Sequence, residues 1–295
     1  MIEVRDAIKT AQSEGRGIVA LETAVLTHGL PYPDNLAIMQ RMSDAVRRSG
    51  AVPAVIGVLA GRVVVGLSQQ EWEAMLAGAQ KCSIRDLGIL LPQKSNGGTT
   101  VAATAYVARQ VGIEVFATGG IGGVHRGVAD TWDVSADLYA MAHLPIIIVS
   151  SGIKSILDIP KTMEFLESLG IPVLGYRTSQ LPGFYVRESG IRVPHTVEQP
   201  EEAVAVHRAM RELKLLETLL VAQPGPQPVP GELVDRLLEE ALHAAQIEQV
   251  SGKDTTPFLL GFLNREAGDI LKLANMALLE SNADLAGQIA AKLYV

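Results

Sequence analysis

The side chains of this chain that could do chemistry crowd into Phe116–Pro160, FATGGIGGVHRGVADTWDVSADLYAMAHLPIIIVSSGIKSILDIP, with one further group near the N-terminus, Glu22. Glu22 interrupts an apolar run, GIVALETA, and a carboxylate inside such a run is costly unless it is paired or used. Asp133, Ser135 and Asp137 place oxygen donors close together, which would suit a hard divalent cation that also keeps water. Lys154 follows an all-aliphatic run and a glycine. Held there it would be partly desolvated, which frees the amine for nucleophilic attack.

Each of these groups also has a purely structural reading. Glu22 could sit at a strand end and reach solvent. The two aspartates, four apart, would share a helical face if the helix starts early. Alternatively, Ser135 caps that helix and Asp137 lies in its first turn. Lys154 could be an ordinary loop lysine paired to Asp158. His125-Arg126 is either a surface turn or a cation pair that holds a phosphate or orders a carboxylate. A dinucleotide fingerprint fails, because G-x-G-x-x-G from Gly120 needs a glycine at 125, where His stands, and no P-loop pattern occurs.

The elements that must position these groups alternate between strand and helix. An amphipathic helix is expected over residues 2–14, a buried strand over 17–24, a loop over 27–35, and a helix from an Asp34 cap to about Ser49. A hairpin follows around Ala60-Gly61, then a helix over about 69–79 and a polar loop, KCSIRDL, at 81–87. NGGTTVAATAYVA turns helical from about Thr100, and backbone amides at such a start favour an anion. IEVFATGG, LPIIIVSSG and GIPVLGY read as strands, with helices over about 135–143 and 160–169 between them. TLLVAQP is expected as the last strand, with helices over 231–249 and 256–295. This order predicts one domain, residues 1–295, of class α/β: a three-layer α/β/α arrangement with a mostly parallel central sheet plus a β-hairpin. In such sheets ligands bind beyond the carboxyl ends of the strands, where Glu22, the glycine turn and Lys154 all fall.

Of 295 residues, 48% are hydrophobic and only 4% aromatic, so aliphatic side chains must fill a large core. The net charge of −7 argues against a surface built for a nucleic-acid polymer or an anionic membrane. A single Cys82 excludes an intramolecular disulfide and a multi-cysteine zinc site. No leader pattern opens the chain and no uncharged stretch reaches about 18 residues. A cytoplasmic location is expected.

ALETAVLTHGLPYP, GAVPAVIGVLAGRVVVGLS, NGGTTVAATAYVA, FATGGIGGVHRG, DVSADL, KSILDIPKTMEFLESLGIPVLGY and GKDTTPFLL resemble the pseudouridine-5′-phosphate glycosidase family, from about residue 18 to 290. The resemblance implies reversible cleavage of the C–C glycosidic bond of pseudouridine 5′-phosphate to uracil and ribose 5-phosphate by an Mn²⁺-dependent homotrimer. Carried over position by position, Glu22 resembles the proton donor, Lys154 the nucleophile and Asp133 the metal ligand. Ser135, Ala136 and Asp137 match a substrate-binding segment, and Lys81 and Val101 two further substrate contacts. Thr118 and His125 lie in the turn that surrounds the sugar phosphate, and Asn275 resembles a residue that recognises the base.

A C-glycoside offers no heteroatom to protonate at the scissile bond, so a pair of carboxylates is poorly suited to it. An amine that bonds to C1′ can form an imine there as the base departs, and this provides an electron sink instead. Two other classes fit parts of the pattern: a lysine-imine lyase or aldolase acting on another sugar phosphate, and a non-catalytic sugar-phosphate-binding protein, which would not need Glu22 or Lys154.

Overall fold

The computed structural model describes residues 2–250 and 255–294. Gly252–Asp254, the start of the GKDTTPFLL block, lie outside the described residues. The N-terminus corrects the first expectation: the chain opens with strand β1 (Ile2–Val4), and helix α1 (Asp6–Ser13) starts only after it. Strand β2 (Ile18–Glu22) is buried along its whole length, the mark of a strand covered on both faces. The expected loop after it begins as a π-helical turn, Val25–Gly29, and α2 (Asp34–Arg48) follows. Asp34 is the first residue of that helix rather than its cap, which is Pro33. Its carboxylate still lies where the helix dipole favours negative charge.

β3 (Val52–Leu59) runs parallel to β2, and β4 (Arg62–Val65) returns antiparallel to it through the expected hairpin. β1 pairs in parallel with β4 at the edge, Ile2 beside Val63. That pairing overrides the helical pattern of the first residues. After α3 (Gln69–Leu76), the expected polar loop resolves into strand β5 (Gln80–Cys82) and helix α4 (Ile84–Leu90). β5 owes its form to β6 (Gly97–Thr99), with which it pairs in parallel. α5 (Val101–Gln110) and β7 (Val115–Ala117) come next, then the short α6 (Val128–Thr131), α7 (Ala136–Met141) and β8 (Ile147–Ser150). α8 (Ile159–Ser168) leads to β9 (Val173–Tyr176).

The region beyond Tyr185 contains a short edge strand, β10 (His195–Val197), that the sequence pattern does not reveal, and a helix, α9 (Pro200–Glu212). Two of the three β10 residues are exposed, so no apolar run marks it. β11 (Leu219–Ala222), α10 (Gly231–Ile247), α11 (Thr255–Glu266) and α12 (Asp269–Leu293) complete the chain.

The strands form one sheet in the order β1-β4-β3-β2-β7-β8-β11-β9-β10, with β6 and β5 attached beside β3. Antiparallel pairing is confined to β3, with β4 and at a single Val58–Gly97 bridge to β6. α2, α9 and α12 pack together, with α12 lying over β2, β7 and β8, while α5 packs on α7 and against β2, β3 and β4. The helical stretch expected over 256–295 is two helices, and α12 covers the core, with Leu271, Leu278, Leu285 and Ile289 all buried. Among the described residues no helix is long and apolar enough to cross a membrane.

Candidate active site

The chain leaves β2 toward β3 on one side and leaves β7 toward β8 on the other. The carboxyl ends of β2 and β7 therefore flank the point where strand order reverses, the place where such sheets open a crevice. A cavity of ≈ 340 Å³ lies there, the size of a small-molecule site. Glu22 is the last residue of β2 and Thr118 the first after β7. Both side chains are buried, and the Thr118 hydroxyl donates to Glu22 Oε1. Burial raises the Glu22 carboxyl above its ordinary value, with the charge of Lys154 and the Thr118 hydrogen bond acting against that rise. Glu22 thus does not reach solvent at a strand end.

Lys154 enters from the turn after β8. Gly152 adopts φ +75° there, and a Cβ on it would lie 2.0 Å from the Pro182 carbonyl oxygen, so only glycine fits the turn that delivers the lysine. Ile121 and Ile153 bridge in parallel, and Lys154 Nζ donates to the Gly120 carbonyl oxygen at 2.6 Å. The amine is thereby aimed across the glycine turn. Asp158 is not its partner: that carboxylate binds Lys161 at 2.5 Å and accepts the Lys161 amide at 3.1 Å as the cap of α8.

The segment around residue 135 takes the capping arrangement. Ser135 is the N-cap of α7 and Asp137 lies in its first turn, while Asp133 precedes the helix. Both Asp137 oxygens are occupied by backbone amides, Oδ1 by Ala102 and Oδ2 by Gly122, each at 2.9 Å. Asp137 therefore ties the glycine turn to the start of α5, and it also lines the cavity. Ser135 and Ala136 line the cavity, as do Asp133 and His125, whose Nδ1 is 3.8 Å from Asp133 Oδ2. Burial lowers His125, opposed by Asp133 and reinforced by Lys81 and Lys154. Arg126 is exposed and does not line the cavity. Val101, at the start of α5 and almost wholly buried, also lines it.

Lys81 reaches the cavity from β5, held opposite Gly98 of β6. Burial lowers it, with the charge of Lys154 adding to that effect. Asn275 and Leu279 of α12, with Thr256, Pro257 and Leu260 of α11, line the same cavity. Lys81, Arg85 and Lys154 line the cavity together with Asp86, Asp133 and Asp137, while Glu22 is raised toward its neutral form, so the lining is closer to charge balance than the acidic whole.

Sequence reasoning missed three contributors. His28, in the π-helical turn, lines the cavity; its signal was the histidine six residues beyond Glu22 in ALETAVLTHG. Phe184 also lines it, at φ +63°, a backbone state that nothing in LPGFY announces. Asn282 of α12 is fully buried, donating to the Thr118 carbonyl at 2.8 Å and accepting from Gln223 Nε2 at 3.0 Å. It joins the ends of β7 and β11 beneath the site.

No group of three His, Cys, Asp or Glu side chains converges as a metal site among the described residues. Asp133 presents a partly exposed carboxylate to the cavity, with Ser135 nearby. One carboxylate with room for water fits a hard, oxygen-seeking ion that keeps most of its hydration shell, and does not fit a soft or all-protein site.

The chain matches the family described as indigoidine synthase A-like protein over residues 7–292. It is 47% identical to a pseudouridine-5′-phosphate glycosidase of Saccharopolyspora erythraea, covering 96% of this chain and 95% of the relative. It is 42% identical to one of Petrotoga mobilis, covering 98% and 96%. An indigoidine synthase A-like protein of Thermotoga maritima superposes with a TM-score of 0.91 at 42% identity, covering 100% of this chain and 97% of that one. Prealnumycin C-glycosynthase AlnA, solved in complex with ribulose 5-phosphate, superposes with a TM-score of 0.91 at 38% identity, with the same coverage. By fold and site this is an α/β enzyme with its cleft at a reversal of strand order. The chain belongs to the indigoidine synthase A-like family, the family of these glycosidases.

Proposed function

We propose that the chain cleaves pseudouridine 5′-phosphate, reversibly, to uracil and ribose 5-phosphate. The observation that supports this most is the convergence of buried Glu22 and Lys154 on one cavity. Glu22, biased toward its protonated form, gives its proton to O4′ as the C1′–O4′ bond opens. The Lys154 amine bonds to C1′. As the C1′=N imine forms, the C1′–C5 bond breaks and its electron pair goes to C5, which takes up a proton. Water then adds to the imine carbon, releasing ribose 5-phosphate as the aldehyde and restoring the amine.

Lys81 and the amides at the start of α5 would bind the phosphate, with Thr118 and His125 against the sugar and Asn275 against the base. Asp133 would hold Mn²⁺ through a carboxylate oxygen and waters, and the ion would supply positive charge beside the anionic ligand. A homotrimer is proposed from the family resemblance, and light scattering at working concentration tests it.

The AlnA likeness favours a second reading, in which the same residues join a sugar phosphate to another aglycone. Incubating the protein with pseudouridine 5′-phosphate and Mn²⁺ and following free uracil separates the two. Uracil release supports the first reading, and none with a competent, folded sample removes it. Unphosphorylated pseudouridine should be a very poor substrate; equal kcat/KM for both compounds would remove the phosphate site.

A further inference from the structure

His28 faces the cavity and has no part in the scheme above. It stands in the turn Val25–Gly29, directly after the strand that ends in Glu22, and π-helical turns of this kind recur at functional positions. Its Nδ1 lies 2.6 Å from Thr27 Oγ1. The Thr27 hydroxyl in turn donates to the Thr23 carbonyl oxygen at 3.0 Å, which can only accept. With the single proton of that hydroxyl on the carbonyl, Thr27 is an acceptor toward the ring, Nδ1 is the N–H of the imidazole, and Nε2 of the neutral ring holds the free lone pair.

Burial, reinforced by the Lys81 charge, lowers His28 from its ordinary value, so the ring is neutral at pH 7. Nε2 makes no hydrogen bond among the described residues and is not one of the polar atoms sealed from solvent. The neighbouring sheet makes room for this relay. A Cβ at Gly98 would fall 2.0 Å from Thr27 Oγ1, so only glycine there lets Thr27 stand beneath the ring. Gly98 is also the residue paired with Lys81, so the β5–β6 pair places the lysine and the Thr27–His28 relay together.

We propose that His28 is a ligand-contacting residue whose Nε2 accepts a hydrogen bond from an O–H or N–H of the bound ligand, with Thr27 as the positioning residue that fixes its tautomer. A phosphate dianion has no proton to donate, so the partner is a sugar hydroxyl or a base N–H. The tautomer rests on the Thr27–Thr23 hydrogen bond; the identity of the ligand rests on the glycosidase reading.

Imidazole ¹⁵N spectra of the free, full-length protein test the first part. Nδ1 protonated and Nε2 bare is expected for His28, and the opposite tautomer overturns the proposal. Thr27→Val should mix the two forms, while Thr27→Ser should restore one. Calorimetry with ribose 5-phosphate and, separately, uracil tests the contact. His28→Ala should weaken one of them by about 10-fold, with partial recovery in His28→Gln, whose amide oxygen can accept. Loss confined to ribose 5-phosphate assigns a sugar hydroxyl, and loss confined to uracil assigns a base N–H. Unchanged affinity for both in a folded variant overturns the contact; should His28→Ala not fold, His28→Gln and Thr27→Val decide it. If the wild-type protein binds neither probe, the glycosidase reading fails with the ligand named here, and the free-protein spectrum decides the tautomer by itself.

Discussion

The Thr118 hydroxyl donates to the Glu22 carboxyl across the gap between the carboxyl ends of β2 and β7. These are the two strands from which the chain departs in opposite directions through the sheet. The bond therefore spans the cleft's own seam, and among the described residues it holds the one buried carboxyl whose oxygens are not taken by backbone amides. Lys154 approaches from beyond the end of β8, on the other side of β7, so acid and amine come from strand ends that flank β7.

Lys154→Ala should lose chemistry and keep ligand binding, because the proposed phosphate and base contacts lie on other elements. Lys154→Arg should fail equally, since a guanidinium stays protonated and forms no imine. Borohydride added with ribose 5-phosphate should leave the reduced sugar on Lys154. Peptide mapping that found it on Lys161 or Lys81 instead would refute the assignment.

Glu22→Gln should lower kcat by about 10²–10⁴-fold with little change in ligand affinity. Its effect on stability carries the opposite sign. The folded carboxyl is raised from 4.5, so its favourable contribution is complete below that value and is lost as pH rises through the raised one. Glu22→Gln should therefore melt above the wild type at neutral pH, with the gap closing on acidification. A gap that widened toward acid would show that Glu22 is not held protonated by burial.

Chelation should abolish turnover and Mn²⁺ should restore it, with Asp133→Ala losing both turnover and Mn²⁺ binding while remaining folded. Full activity in excess chelator removes the metal from the scheme.

Asp137→Asn replaces two acceptor oxygens with one, setting an amide NH₂ against a backbone N–H. The cost should be about 1–3 kcal/mol of stability in the absence of any ligand. A residue that served only as a ligand contact would leave the melting temperature of the free protein unchanged.

The sequence by itself determined the layer order, because continuous aliphatic runs between helical patterns can only be buried parallel strands. It also marked Glu22 as a carboxylate inside an apolar run, while the roles of Lys154 and the Asp133–Asp137 segment came from the family resemblance, since each also has an ordinary structural reading. Tertiary structure decided what those side chains are committed to. Asp137 became a clamp through the amides of Ala102 and Gly122, which lie 35 and 15 residues away. Edge pairing with β4 and β6 turned residues 2–4 and 80–82 into strands, since ladder hydrogen bonds outweigh weak local propensity. The Thr27–His28 relay depends on a missing Cβ at Gly98, some seventy residues along the chain. Pattern is a local property of the chain, whereas the partner of a hydrogen bond is set by which distant backbone arrives beside it.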